Sequence, residues 1–354
     1  MKHPFDLARS VFLPAAGALV LGVALASCSG AGSTMPQTPQ MQAQAPAAAQ
    51  ANPAMLQINV KSGPPSGFTY SHRLIHLDRI RSVPGASTMA TSYPFDVTRH
   101  TTNCGLATCP AGPVMPKATQ HFIYVNGAST VWGAPRTFIT DLNASLANNT
   151  YGHILDQYVG TTANARYPVG ATDVAETVSI PADPEGGVMM DEGQLMSVLH
   201  AAVAALKLTN PAYTHNFHIF LPPGVDTCQD YTTSCYSPDN TSTFVFCAYH
   251  GSVQFSDLGH VVYSVEPYQG SPTNPICYAP TTSLANATDS TLSHEFFEST
   301  SDPDPGTGYY NNFTQMEIGD ECVQSAAPAY SASLNGHAYI VQKEWSNAVH
   351  GCGP

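Results

Sequence analysis

Charge is scarce in this chain. Asp, Glu, Lys and Arg make up 10% of its 354 residues, against about a quarter in an ordinary soluble protein. Basic side chains are the rarer kind, with 12 Lys and Arg against 25 Asp and Glu and a formal charge of −13. Nucleic-acid binding needs clustered Lys and Arg to neutralise phosphates. No such cluster occurs, so the chain does not read as a nucleic-acid binder. Two further motifs are missing, the Gly-x-Ser-x-Gly elbow and the paired Cys-x-x-Cys. A serine hydrolase or a thiolate zinc site is left without an anchor. No internal repeat is evident.

What is present begins at the N-terminus. Lys2, His3 and Arg9 form a short basic segment, followed by Val11–Ala26, rich in Ala, Leu, Val and Gly. About sixteen residues is marginal for spanning a bilayer and typical of a signal-peptide core. Leu25-Ala26-Ser27-Cys28 then resembles the bacterial lipobox. That resemblance implies that residues 1–27 are a signal peptide and that Cys28 carries a lipid as the mature N-terminus. Ser29 rather than Asp follows, which by the same resemblance favours the outer membrane or cell surface. Residues 28–54 are rich in Ala, Gln, Pro and Met and carry no charge, the composition of a disordered tether. A coil of roughly 25 residues separates its ends by about 25–30 Å. The expected location is therefore exported and lipid-anchored, with the membrane as one partner.

Nine cysteines are present. With Cys28 assigned to the lipid, the remaining even number in an exported chain implies a disulfide framework. Among about a hundred possible connectivities, spacing favours Cys104–Cys109, Cys228–Cys235, Cys247–Cys277 and Cys322–Cys352.

Hydrophobic residues, at 43%, suffice for a real core. Residues 55–117 contain short strand-like pieces and read as an N-terminal extension. There His72 and His76 stand four apart, and read as a polar face rather than a metal pair. Residues 118–354 form the main domain. His121–Gly127, an apolar run ending at Gly, and His218–Leu221 are expected to be buried strands, and Thr243–Tyr249, His260–Val265 and Tyr339–Val341 read as further strands. Helical periodicity predicts helices over Pro135–Ala147, Asp191–Leu206 and Ala285–Ser301, with another for the segment through His350. Alternating strands and helices indicate an α/β (α+β) fold, a mixed sheet flanked by helices and stapled by disulfides.

One of these helices carries Ser293-His294-Glu295-Phe296-Phe297-Glu298. Residues i and i+4 share a helix face, so His294 and Glu298 can address one metal ion. Glu295, about 100° round the helix, can hold a water at that ion. This is the logic of the zincin His-Glu-x-x-His helix, with Glu as the second ligand. A third ligand is expected from downstream acids: Asp304 at the metzincin offset, Glu317 at the gluzincin offset, or Asp320, with Asp302 nearby. His250 could reach in from an adjacent strand. In a chain so poor in charge, His294, Glu295, Glu298, Asp302, Asp304, Glu317, Asp320 and Glu321 crowd into residues 294–321. The site expected from the sequence has His294, Glu298, Glu317 and Asp320 for the metal and Glu295 as general base. Zn²⁺ is the expected cofactor and peptide the expected substrate. The competing reading is a non-enzymatic surface protein with structural Ca²⁺, whose aromatic, neutral polar surface (17 Tyr) binds extracellular glycan or protein.

Four stretches resemble the EXORDIUM-like, or phosphate-induced, proteins of plants and their bacterial relatives. They are Phe122–Leu146, Phe246-Cys247-Ala248-Tyr249-His250, the His294-Glu295-x-x-Glu298 block leading through Asp302-Pro303 to Glu317-Ile318-Gly319-Asp320-x-Cys322, and Tyr339-Ile340-Val341-Gln342-x-x-Trp345 closing near Cys352. The resemblance spans most of residues 118–354 in the family's order. It implies an exported location and functional weight for His294, Glu295, Glu298, Glu317 and Asp320, and it supplies no substrate. The plant members are not lipoproteins, and their Gly-rich insertion after the Cys is absent here.

Overall fold

The computed structural model describes residues 57–59, 67–70, 96–100, 110–159, 167, 172–179, 189–190, 192–228, 235–236, 246–270, 283–323, 325 and 327–353. Cys28 with the signal and tether, His72, His76, Cys104, Cys109 and Cys277 lie outside these residues.

Seven strands make one mixed sheet: β1 (Gln57–Asn59), β2 (Phe68–Tyr70), β3 (Thr119–Val125), β4 (Thr172–Ser179), β5 (Ala212–Phe220), β6 (Tyr249–Phe255) and β7 (Gly259–Glu266). Their order is β1-β4-β3-β5-β7-β6-β2. Strands β1, β4, β3, β5 and β7 run parallel, β6 pairs antiparallel with β7, and β2 pairs antiparallel with β6, returning to the common direction. The stretch expected as an extension thus supplies both edge strands.

Parallel strands need helical crossovers, which cover both faces of the sheet. Helix α2 (Glu192–Ala205) covers one face and helices α1 (Pro135–Ala144) and α3 (Leu284–Ser301) the other. Side chains alternate between faces along a strand. Ile123, Val125, Phe217, Ile219, Val261, Tyr263 and Val265 meet Leu195, Val198 and Leu199 of α2. Phe122, Tyr124 and Phe220 pack with Phe138, Ile139 and Leu142 of α1 and with Leu292, Phe296 and Phe297 of α3. Each such side chain, fully buried, contributes about 1.5–3 kcal/mol. The same alternation sends His218, His250, Ser264 and Glu266, all buried, to the α3 side. The α3 side of the sheet therefore carries a buried polar group beside its apolar cluster, near the histidine and glutamates of that helix.

Helix α3 lies between this polar face and a hairpin of β8 (Ala329–Leu334) and β9 (His337–Gln342). Ser283 caps its start, accepting from Asn286 N at 3.2 Å. Pro303 ends it, because the residue before a proline is pushed out of helical geometry; Asp302 has φ −143°. The helix is buried nearly all round although rich in Ser and Thr. Thr291, Ser293, Thr300 and Ser301 donate to carbonyls three or four residues back, so these hydroxyls enter the core satisfied.

Two expected elements are corrected. The strand placed at Thr243–Tyr249 starts at Tyr249 and runs to Phe255, paired residue by residue with β7; cross-strand pairing holds Gly251, Ser252 and Gln254, which show no apolar pattern. The helix expected through His350 is a hairpin of Glu344–Ser346 with Gly351–Gly353. His350 turns it at φ 51°, a left-handed value that a right-handed helix excludes.

The Cys322–Cys352 disulfide is formed, with Cα atoms 5.5 Å apart. Cys247 is also disulfide-bonded. The backbone register sets Cys228 opposite Cys235.

Candidate metal centre

Helical geometry brings Glu298 Oε2 to 3.1 Å from His294 Nε2. The turn after Glu317 carries Asp320 Oδ1 to 3.8 Å from the same nitrogen. That turn is seated on the helix by backbone: Gly319 N and Asp320 N donate to Glu298 Oε1 at 3.1 and 2.9 Å. One oxygen of Glu298 is therefore used for structure, and the other faces the histidine. Gly319 sits where a Cβ would lie 2.5 Å from His294 Nδ1 and 2.9 Å from Glu298 Oε1, so only glycine allows this approach. Gln342 of β9 fixes the ring from outside, its Nε2 lying 2.8 Å from His294 Nδ1 and donating to Gly319 O at 2.9 Å. Trp345 N donates to Ile318 O at 2.7 Å, and the Cys322–Cys352 bond ties the turn to the C-terminal hairpin.

A second histidine stands on the sheet side. His250 Nδ1 lies 3.3 Å from Glu295 Oε2 and 3.7 Å from Glu298 Oε2. Its Nε2 donates to the Asp302 carbonyl at 3.1 Å and lies 3.5 Å from Glu317 Oε1. The donor atoms fall into two sets, each within 4.8 Å of one another: His294, Glu298 and Asp320, and His250, Glu295 and Glu298.

Of the expected ligands, His294, Glu298 and Asp320 are brought together. Glu317 belongs to neither set and faces His250. The carboxylate of Asp302 accepts from the amides of Gly306, Thr307 and Gly308 at 2.7, 3.1 and 2.6 Å. Asp304, despite its metzincin offset, accepts from Tyr213 OH at 2.6 Å and pairs with His260 at 2.9 Å. Glu266 and Glu344, which no motif singled out, are buried in the same electrostatic environment.

Glu266, Glu295, Glu298, Asp302, Glu317, Asp320 and Glu344 are all under a tenth exposed. The cations acting on them most strongly are two imidazoles. Burial disfavours a charged His250, but Glu317 and Glu295 outweigh it and raise its pKa well above the usual value. Burial likewise opposes charge on His294, and Glu298 and Glu295 overcome it. Burial would raise Glu298, yet the His294 charge beside it prevails and its pKa is lowered. Burial drives Glu317, Asp320, Glu266 and Glu344 well above the carboxylate range. Asp302 rises to about 7, burial outweighing its loop amides.

Such an excess of buried acid is held either by protons or by a cation. Two further observations fit a cation. Glu295 Oε2 and Glu317 Oε1 are buried without a well-formed hydrogen bond, facing His250 at 3.3 and 3.5 Å. The donors, imidazole and carboxylate, are those of zinc and manganese sites. His294 and Asp320, with side chains 13% and 10% exposed, form the more open side, while Glu295, Glu298, His250 and Glu317 are closed in.

A scan against protein-family models finds no match for this chain, and searches of curated proteins and of solved structures find none either.

Proposed function

We propose that this chain is an exported, lipid-anchored metal-dependent hydrolase with a peptidase-like site. His294, Glu298 and Asp320 would hold zinc, and Glu295 would be the acid–base group. The observation that carries this reading is the convergence of an i,i+4 helical pair with a third carboxylate on the less buried side of the cluster. The resemblance to EXORDIUM-like proteins agrees with it, since the same residues form the shared block.

Zinc at such a position would polarise a carbonyl and lower the pKa of a water. The chain's own residues do the rest. Glu295 Oε1, 3.8 Å from His294 Nε2, is placed to take a proton and return it to a leaving group. His250 holds the other Glu295 oxygen, and Glu317 and the Asp302 carbonyl hold His250. Gln342 sets the plane of the His294 ring, its amide nitrogen lying 2.8 Å from Nδ1.

The near-complete burial of the cluster favours a second reading, a closed structural cation site in a glycan- or protein-binding surface protein. Metal analysis with a peptide-hydrolysis assay separates the two. Zinc lost in Glu298→Gln, with at least one equivalent kept but activity lost in Glu295→Gln, supports the hydrolase. Calcium or no metal at all overturns it. For the anchor, Cys28→Ser is expected to move the protein from the membrane to the soluble fraction on cell fractionation; unchanged membrane association removes the lipid from the proposal.

A further inference from the structure

We infer that the centre holds a second cation, bound by His250 Nδ1, Glu295 Oε2 and Glu298 Oε2, so that Glu298 bridges two ions; this rests on the hydrolase reading only for the ion at His294.

One ion cannot serve both histidines. Donors around a zinc at about 2.0–2.1 Å lie at most about 4.2 Å apart. The two donor sets each close within 4.8 Å but do not merge into one. They meet only at Glu298, whose Oε2 faces His294 Nε2 at 3.1 Å and His250 Nδ1 at 3.7 Å. Its Oε1 is already taken by two backbone amides. A carboxylate oxygen that faces both imidazoles is the atom two ions could share at the separation of about 3.5–4 Å found in two-metal sites.

The second position is the better prepared. The Asp302 carbonyl can only accept, so His250 Nε2 carries a hydrogen and Nδ1 is the nitrogen left to face the two glutamates, where a cation would take the place of the proton that His250 holds between them. His294 is held differently. Its Nδ1 faces an amide nitrogen that also donates to Gly319 O, so the group against Nδ1 is a donor and not the acceptor that would free Nε2 for an ion. Glu295 Oε2, on a residue 2% exposed, lacks a well-formed hydrogen bond and faces His250 Nδ1, 3.3 Å away. With Oε2 engaged there, Glu295 keeps Oε1 on the His294 side for proton exchange. An imidazole with two carboxylates selects Zn²⁺ or Mn²⁺ over Ca²⁺, which takes six to eight oxygens.

The test is metal titration of the full-length chain in detergent, stripped by chelator and reloaded with Zn²⁺ and separately with Mn²⁺. Two equivalents are expected for the wild type and one for His250→Ala. Should His250→Ala misfold, His250→Asn decides: its amide oxygen replaces Nδ1, and the second equivalent is expected to survive with affinity reduced tenfold or more. A wild type that binds one equivalent, kept in His250→Ala and lost in His294→Ala, overturns the second position and leaves the hydrolase reading standing. One equivalent lost in His250→Ala and kept in His294→Ala supports the second position and overturns the His294 ligand set. A second equivalent of unchanged affinity in folded His250→Asn overturns the inference.

Discussion

Gly319→Ala tests the centre without touching a ligand. Gly319 has no left-handed φ, so alanine meets no backbone strain there, and the whole effect lies in the space its methyl needs. That Cβ would stand 2.5 Å from His294 Nδ1, 2.9 Å from His294 Cε1 and 2.9 Å from Glu298 Oε1, where ordinary contact begins at 3.4 Å. The ring must retreat by roughly 1 Å, against Gln342 at 2.8 Å and Glu298 at 3.1 Å. Overpacking of this kind costs about 1–3 kcal/mol. Where the cost falls on the ion-bound geometry, affinity drops on the order of 10–100-fold, since about 1.4 kcal/mol is tenfold. The control is Gly351→Ala, whose methyl has nothing nearer than 3.9 Å. Isothermal titration with Zn²⁺ reads the affinity, and denaturation of the metal-free chain reads the cost to the fold. Unchanged zinc affinity in Gly319→Ala, with an unchanged fold, would refute the placement of His294 and Glu298 around a common ion.

Two further outcomes are expected. His218 is buried and bonded to Gln120 and Ser264 at 2.8 Å each, and burial, then the charge on His121, lowers its pKa to about 3. The unfolded chain takes a proton near pH 6.5 that the native chain refuses until about 3, so this residue makes stability fall as pH drops through that window. Relative to His218→Gln, the wild type is expected to lose up to about 1.4 kcal/mol per pH unit between 6 and 4; parallel urea-stability curves would count against a neutral buried imidazole. The Cys322–Cys352 bond closes a 30-residue separation, so replacing both cysteines with serine is expected to cost about 2–4 kcal/mol. An unchanged denaturant midpoint would show that the hairpin and turn hold each other without it.

The helix that carries the site was legible in the sequence because its signals are local. Ser283 caps it, Pro303 stops it, and Ala285–Ser301 was expected against Leu284–Ser301 observed. The i,i+4 pair follows from helix geometry alone, so His294 and Glu298 were placed together before any tertiary contact was known. The strands at Thr119–Val125 and Gly259–Glu266 announced themselves as apolar runs for the same reason. Strand β6 did not, because Gly251, Ser252 and Gln254 are held by cross-strand pairing. The short edge strands β1 and β2 carry too few residues for a pattern.

The third ligand could not be chosen from spacing. Asp304, Glu317 and Asp320 all stand at plausible offsets, and the choice falls to the turn that Gly319 and the Glu298 carboxylate make possible. That turn faces Asp320 toward His294 and leaves Glu317 to His250. The position of His250 depends on strand register, which decides the face its side chain occupies, as does that of Glu266. A chain poor in charge, with its acids crowded into residues 294–321, put the candidate site on one helix and the loop after it. Which acids meet which histidine, and that two donor sets share Glu298, only the packing of α3 between sheet and hairpin decided. Burial there strips the carboxylates of water and leaves a few backbone amides, two imidazoles, and a proton or cation to answer their charge.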